Sequence, residues 1–335
     1  PAPVDVDGDL VVDDVYAGDL FGNLWKFDLR SEIPGDWSVS FGGLPLFVAT
    51  DANGAVQSIT VRPVVARAPQ AAAAGSPSLR GSIVYFGSGK YFEVGDNSAI
   101  GQSTQAFYAV LDKQLNSRDT DFSAPTFNPS HLLEQTIDNE ILATDPSNPF
   151  GTDLRVTSHN NLVWHTCGGL PSSSNRCPGT PPVPDYLGWR IDLQLQGAPS
   201  NNGERVVSDP VLRPDRVIFT TLIPNSDACA FGGSGWLMAV DAFDGGRLTV
   251  QAFDLNRNGG FNLSDRIAIP DGTGGTVSVN VSGKRSTVGT LSTPVIVGTG
   301  DSSSELLLQS GSSGAIESTL GSAVGLGRLD WMQLP

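Results

Sequence analysis

Short stretches in which apolar and polar positions alternate, punctuated by Gly, Asp and Asn, run through this chain from end to end. Successive side chains of an extended strand point to opposite faces, so such alternation marks strands with one buried face. Val15-Tyr16-Ala17-Gly18-Asp19 and Asn23-Leu24-Trp25-Lys26-Phe27-Asp28-Leu29 are spaced as the two arms of a hairpin. Further strands are predicted over 82–87, 106–112, 188–193, 216–221 and 235–241, several of them ending in Asp. Two stretches break the pattern. The segment 67–81 is small and polar and reads as an exposed loop. The segment 130–142 opens on Ser130, a capping residue, and continues with helix formers, which predicts one short helix.

A second self-similarity lies over this first one. Arg62-Pro63-Val64-Val65, Asp209-Pro210-Val211-Leu212 and Thr293-Pro294-Val295-Ile296 repeat one pattern, each ahead of an apolar strand. Strand, Gly-rich turn, strand with an aromatic and Asp, repeated at variable spacing, predicts an all-β chain: a modified β-propeller whose blades carry loop insertions. The unit at 235–248 has a strand-and-turn register like that of quinoprotein-like blades. The expected organisation is one propeller domain, or part of a larger propeller, over 1–335, with a β-sandwich as the structural competitor.

Composition narrows the partners. Of 335 residues, Lys+Arg number 20 and Asp+Glu 35, giving a formal charge of −15. That field repels phosphate backbones and anionic headgroups, and the cations are scattered singly, so nucleic acid is not an expected partner. No apolar run approaches the roughly 20 residues a spanning helix needs, so direct membrane insertion is not expected either. Gly 39 and Pro 23 make the chain turn-rich, and 39% hydrophobic residues exclude global disorder. The chain opens on Pro1-Ala2-Pro3-Val4-Asp5, which suggests a mature chain or an excised piece.

The three cysteines are too few for a disulfide scaffold. Cys167 and Cys177 bracket a flexible loop whose ends can meet and oxidise in a secreted setting, which predicts a disulfide there and leaves Cys229 as a buried thiol. His159, His165 and Cys167 lie close in the chain, but their spacing matches no zinc site.

The sharpest chemical motif is Asp254-Leu255-Asn256-Arg257-Asn258-Gly259-Gly260-Phe261-Asn262-Leu263-Ser264-Asp265. Counting Asp254 as position 1, side-chain oxygens fall at positions 1, 3, 5, 9 and 12, and Gly259 stands at position 6. A chain wrapping a small hard cation presents oxygens at alternate positions and turns sharply at the sixth residue, which glycine does without steric penalty. Gly260 offers its backbone carbonyl. Asp254, Asn256, Asn258, Gly260, Asn262 and Asp265 are therefore the candidate ligands for Ca2+. The competing structural reading is a hairpin rich in Asx-turns. With two carboxylates among the ligands, the expected affinity is weak, about 10⁻⁵ to 10⁻³ M.

Asp5, Asp7, Asp9 and Asp13 form a second candidate calcium loop, with Asp14 as an alternate for Asp13. Leu10 stands where glycine is wanted, and a left-handed leucine costs on the order of 1 kcal/mol. A solvated acidic turn is the competing reading. Other motifs fail. Gly87-Ser88-Gly89-Lys90 lacks the flanking residues of a phosphate loop, and Trp236 replaces the last glycine of a nucleophile elbow in Gly232-Gly233-Ser234-Gly235-Trp236. No catalytic residue is assigned.

The segment 15–29 resembles the signature of the PilY/PilC family, the type IV pilus biogenesis factors and tip-associated adhesins of bacteria. Phe86-Gly87-Ser88-Gly89-Lys90-Tyr91, Gly188-Trp189 with Asp192-Leu193, 203–210, 216–224, 229–233 with Trp236-Leu237-Met238, and Gly327-Arg328-Leu329-Asp330-Trp331 are similar to family segments in family order. The resemblance implies the C-terminal modified propeller of a longer secreted protein, exported through the periplasm to the cell surface at the pilus tip and associated with the outer membrane. It places the family's calcium loop on Asp254, Asn256, Asn258, Gly260 and Asn262, with acids common where Asn258 and Asn262 stand, and ties its occupancy to antagonising pilus retraction. It also matches a proposed second site to the acidic stretch 5–13 and implies minor pilins and the pilus-tip complex as partners. No Arg-Gly-Asp tripeptide occurs, since Arg80-Gly81 is followed by Ser82.

The expected function is non-enzymatic: calcium-responsive control of pilus assembly and retraction, with adhesion at the tip. The alternatives are a quinoprotein-like dehydrogenase, which usually has an adjacent cysteine pair that this chain lacks, and a generic glycan-binding propeller.

Overall fold

A computed structural model describes residues 1–68, 81–113, 126–167, 170–172, 176–177, 184–227, 231–300 and 303–323. Most of the loop expected at 67–81, Cys229, and the family-like segment 327–331 lie outside these residues.

Ten strands form one sheet, in the order Val211–Leu212, Arg216–Thr220, Trp236–Asp241, Gly283–Arg285, Leu154–Thr157, Leu133–Ile141, Gly188–Leu195, Ala106–Asp112, Ser82–Gly87 and Val64–Arg67. Every neighbouring pair is antiparallel except Leu133–Ile141 with Gly188–Leu195, which is parallel. The two ends of the sheet nearly meet, because the N–H of Arg62, just ahead of the last strand, donates to Asp209 Oδ1 at 2.8 Å, just ahead of the first. Closure leaves few exposed strand edges. Smaller sheets surround it, among them Ala2–Val4, Asp14–Gly18 and Asn23–Asp28, the hairpin Ile267–Pro270 with Thr276–Val279, and Val295–Gly298, Ser304–Ser310 and Ile316–Ser322.

The three repeated Pro-Val units all open the first strand of an antiparallel pair: Val64 pairs with Tyr85, Val211 with Ile218 and Val295 with Leu308. They also converge in space. Thr293 Oγ1 donates to the carbonyl of Asp209 at 3.1 Å, and Asp209 in turn accepts from Arg62. The hairpin predicted at 15–29 is present as Asp14–Gly18 and Asn23–Asp28. Its turn is held by Asp19, which accepts the N–H groups of Phe21 (2.8 Å) and Asn23 (2.9 Å) and the indole N–H of Trp25 (2.9 Å).

The expectation of a helix over 130–142 is corrected. Pro129–His131 makes one 3-10 turn, and Leu133–Ile141 is a nine-residue strand inside the large sheet. Ser40–Gly43 is a tight turn in which Phe41 (φ 58°) and Gly42 (φ 66°) adopt left-handed backbone angles. Gly87-Ser88-Gly89 is a place of close approach rather than a phosphate cradle: a Cβ on Gly87 would lie 2.2 Å from Val206 Cβ. Lys90 is held by Glu93 and by Asp96 at 3.3 Å.

The core is aromatic along the large sheet. Phe107 stacks on Phe219 with ring centroids 4.0 Å apart and on Trp189 at 5.9 Å. Buried cations keep carboxylate partners, as a low-dielectric interior requires, and Lys26 and Arg155 are two of them. Lys26 lies 2.7 Å from Asp112 and 3.3 Å from Asp14, and Arg155 is held by both oxygens of Glu204 at 2.7 and 2.9 Å.

Candidate metal centre

The segment 254–265 is pinned at both ends. The Asp254 N–H donates to the carbonyl of Leu320 on the edge strand Ile316–Ser322, and the far end tightens into the 3-10 turn Leu263–Asp265 before the hairpin strand Ile267–Pro270. Between these anchors the backbone folds around its own oxygen side chains. Asp254 Oδ1 accepts the N–H of Asn258 at 3.1 Å, and Oδ2 that of Gly259 at 2.8 Å. Asn256 accepts from Asn258 N–H (3.0 Å), and Asn258 accepts from Gly260 N–H (2.9 Å). Asp265 Oδ1 accepts the N–H of Leu255 (3.0 Å) and Asn256 (3.2 Å), and Oδ2 that of Asn262 (3.1 Å). Asn262 caps the 3-10 turn through Ser264. Gly259 has φ +80°, so the position read as needing glycine does adopt the left-handed turn.

Both carboxylates, Asp254 and Asp265, are buried, and among the described residues neither forms a salt bridge. Two buried anions held by neutral N–H groups alone are a donor set that suits a hard divalent cation.

The acidic stretch 5–13 repeats this scheme in nine residues. Asp5 Oδ2 accepts from Leu10 N–H at 2.8 Å as Asp254 Oδ2 does from Gly259, both from position 6. Asp7 accepts from Asp9 (3.1 Å) and Asp9 from Val11 (2.7 Å), as Asn256 does from Asn258 and Asn258 from Gly260. Asp13 Oδ2 accepts from Val6 and Asp7 at 2.6 and 3.3 Å, taking the part that Asp265 plays for Leu255 and Asn256. Positions 4 and 6 are left-handed in both loops: Gly8 (φ 88°) and Leu10 (φ 71°), Arg257 (φ 59°) and Gly259. Leu10 thus adopts the conformation for which glycine is suited.

Carboxylate oxygens of Asp5, Asp7 and Asp13 lie within 4.8 Å of one another. Asp9 stands outside that cluster. Asp14 turns away into the core, where Arg30 (2.7 Å) and Lys26 hold it, so Asp13 and not Asp14 completes the loop. Burial pulls the Asp5 carboxyl upward, but the N–H groups of Gly8, Leu10, Asp9 and Asp7 outweigh it and hold it below its ordinary value.

Cys167 and Cys177 are joined in a disulfide with Cα atoms 5.3 Å apart. Spacing along the chain concealed what surrounds it. Trp164 bridges Tyr186, and this pairing sets His165 beside Asp185 and both sulfurs. His159 is elsewhere, with Nδ1 2.6 Å from the carbonyl oxygen of Arg247.

The described residues form an all-β protein with one nearly closed ten-stranded sheet, smaller sheets beside it and two Asx-rich loops, and the comparisons with known proteins identify that architecture as a β-propeller. The family model described as the PilY1 beta-propeller domain matches residues 1–147. The type IV pilus biogenesis factor PilY1 of Pseudomonas aeruginosa PAO1 is 33% identical over 275 residues, covering 77% of this chain and 21% of that protein. A PilY1 homolog of Xylella fastidiosa Temecula1 is 34% identical over 251 residues, covering 73% of this chain and 14% of that protein. The crystal structure of the Pseudomonas aeruginosa PilY1 C-terminal domain superposes with a TM-score of 0.72 at 26% identity, over 95% of this chain and 59% of that one. Residues 1–147 thus match the PilY1 β-propeller family model, and the likeness to PilY1 proteins runs over 77% of the chain. It spans about a fifth of the length of the Pseudomonas relative.

Proposed function

We propose that this chain is a calcium-responsive, non-enzymatic propeller module of the type IV pilus machinery, working at the cell surface with minor pilins of the tip complex in assembly, retraction control and adhesion. Its relatives are named as type IV pilus biogenesis factors, which supports the pilus setting. The observation that carries the calcium reading is the recurrence of one hydrogen-bond scheme in two loops far apart in sequence, each closing on carboxylates.

Asp254, Asn256, Asn258, Asn262 and Asp265, with the carbonyl of Gly260, would hold Ca2+ in one loop, and Asp5, Asp7, Asp9 and Asp13 in the other. Bound calcium supplies positive charge that neutralises the clustered carboxylates. The residues of the chain do the rest. Asp254 ties the loop to the edge strand Ile316–Ser322, and Asp265 ties it to the hairpin Ile267–Pro270, so ordering 254–265 fixes these two elements relative to each other. That fixed surface, with Leu263 exposed on it, is what a partner would read.

An Asp254→Ala allele in the native host, scored for surface pili and twitching, tests the reading. Altered piliation or motility is expected, together with loss of calcium-dependent protection of the loop from protease. Wild-type piliation and twitching with unchanged digestion would contradict it.

A further inference from the structure

Outside the calcium loops, the densest group of metal-competent side chains surrounds the disulfide. His165 is fully buried. Its Nδ1 lies 3.2 Å from Asp185 Oδ2, and its Nε2 lies 3.6 Å from Cys167 Sγ. The Cys177 sulfur is 3.6 Å from the other edge of the ring, and one ligand atom from each of His165, Cys167 and Cys177 falls within 4.8 Å of the others.

Two features of this group go beyond proximity. Asp185 Oδ2, which accepts the N–H of Cys177 at 3.1 Å, also lies 3.2 Å from Nδ1, a placement that would hold the Nδ1 proton and leave Nε2, 3.6 Å from Cys167 Sγ, as the nitrogen that meets a metal. A carboxylate behind an imidazole is how metal-binding histidines are oriented. The second feature is the environment of Cys177. Its Sγ accepts the N–H of Cys167 at 2.8 Å and of Thr166 at 3.2 Å. A neutral sulfur is a weak acceptor, whereas a thiolate makes charge-assisted hydrogen bonds, so two amides aimed at one sulfur suit its anionic form.

We propose that reduction of the Cys167–Cys177 disulfide converts this site into a centre for zinc or a similar thiolate-binding divalent metal, ligated by His165 Nε2, Cys167 Sγ and Cys177 Sγ, with Asp185 as the positioning residue. A dithiol reductant supplies two electrons and two protons, breaks the S–S bond and is itself oxidised to a disulfide. Metal binding then releases the two thiol protons to solvent and forms two metal–sulfur bonds and one metal–nitrogen bond, and water fills the fourth position. Cys167 and Cys177 are held together in both states, covalently in one and by coordination in the other. The site thereby lets the chain keep these two residues anchored before and after oxidation.

The test uses the full chain with calcium in excess, so that the oxygen-lined loops do not take up the added metal. Oxidised and phosphine-reduced samples are titrated with Co2+ and then Zn2+, reading thiolate-to-cobalt charge-transfer absorption and metal stoichiometry by native mass spectrometry. One Co2+ per reduced chain, displaced by Zn2+ and absent from the oxidised chain, is expected. Asp185→Asn should weaken zinc affinity by about 10–100-fold without removing the charge-transfer bands. Reduced wild type that keeps its far-ultraviolet circular dichroism but shows no such bands would overturn the proposal. So would loss of the native fold on reduction, or zinc uptake by a Cys167→Ser/Cys177→Ser variant equal to that of the reduced wild type.

Discussion

The carboxylate of Asp265 accepts the backbone N–H of Leu255 at 3.0 Å, so the last residue of the twelve-residue loop holds the second. Asp13 does the same for Val6 at 2.6 Å in the nine-residue loop. In each case the closing carboxylate brings the two ends of the loop together and adds negative charge where the opening carboxylate already stands.

Asp265→Ala removes three hydrogen bonds from a buried position, those to Leu255, Asn256 and Asn262. Each orphaned donor carries a penalty of about 1–3 kcal/mol where it is shielded from water. The variant should lose amide-exchange protection throughout 254–265 while strands 236–241 and 216–220 keep theirs. Unchanged protection at Leu255 and Asn256 would show that the carboxylate does not close the loop.

Leu10 has φ 71° and is 87% exposed, so its side chain gains little from packing while its backbone carries left-handed strain. Leu10→Gly should stabilise the 5–13 loop by about 1 kcal/mol and strengthen calcium binding there severalfold. A calorimetric comparison of the two proteins reads this directly, and weaker binding by the glycine variant would count against the loop geometry.

Lys26 sits between Asp112 and Asp14 with almost no exposure to water. Removing one partner of a buried ion pair costs about 3–5 kcal/mol because the remaining charge is stranded. Lys26→Met should lower the urea midpoint by a corresponding amount, and Lys26→Met/Asp112→Asn should recover part of it. Equal stability of wild type and Lys26→Met would mean that the network contributes nothing.

Asp19 accepts from Phe21, Asn23 and Trp25, and its carboxyl is net lowered from 3.8. Burial, the largest single influence, acts upward, and the hydrogen bonds from Asn23, Trp25 and Phe21 overcome it. The folded state therefore binds this proton less readily than the unfolded chain. The stabilisation is fully present above the unfolded value and is lost as pH falls through the folded one. Asp19→Asn should be less stable than wild type at neutral pH, and the gap should narrow below about pH 4. A gap that stays constant down to pH 2 would exclude the linkage.

Much of the fold was legible because its signals are local. Asp19, Trp25 and their hairpin lie within a few residues of each other, and the two loops are continuous segments whose oxygens recur at alternate positions. The strand Leu133–Ile141 misled for an identifiable reason. Leu133, Ile137 and Ile141 fall at helical spacing, and the strand's alternation is hidden because Gln135 occupies a buried position between Leu133 and Ile137. Gln135 is satisfied there by the carbonyls of Asn160 and Asp244, both distant in the chain. Lys26 and Asp112 are 86 residues apart, and His165 meets Asp185 only through the Trp164–Tyr186 pairing. Nothing in the local pattern marks such partners.

Isothermal titration of calcium into the metal-free chain and into Asp254→Ala tests the central claim most directly. Two sites in wild type, at least one in the range of about 10⁻⁵ to 10⁻³ M, and loss of one site in the variant are predicted. No calcium heat in the wild type, or an isotherm unchanged by the substitution, would contradict the account.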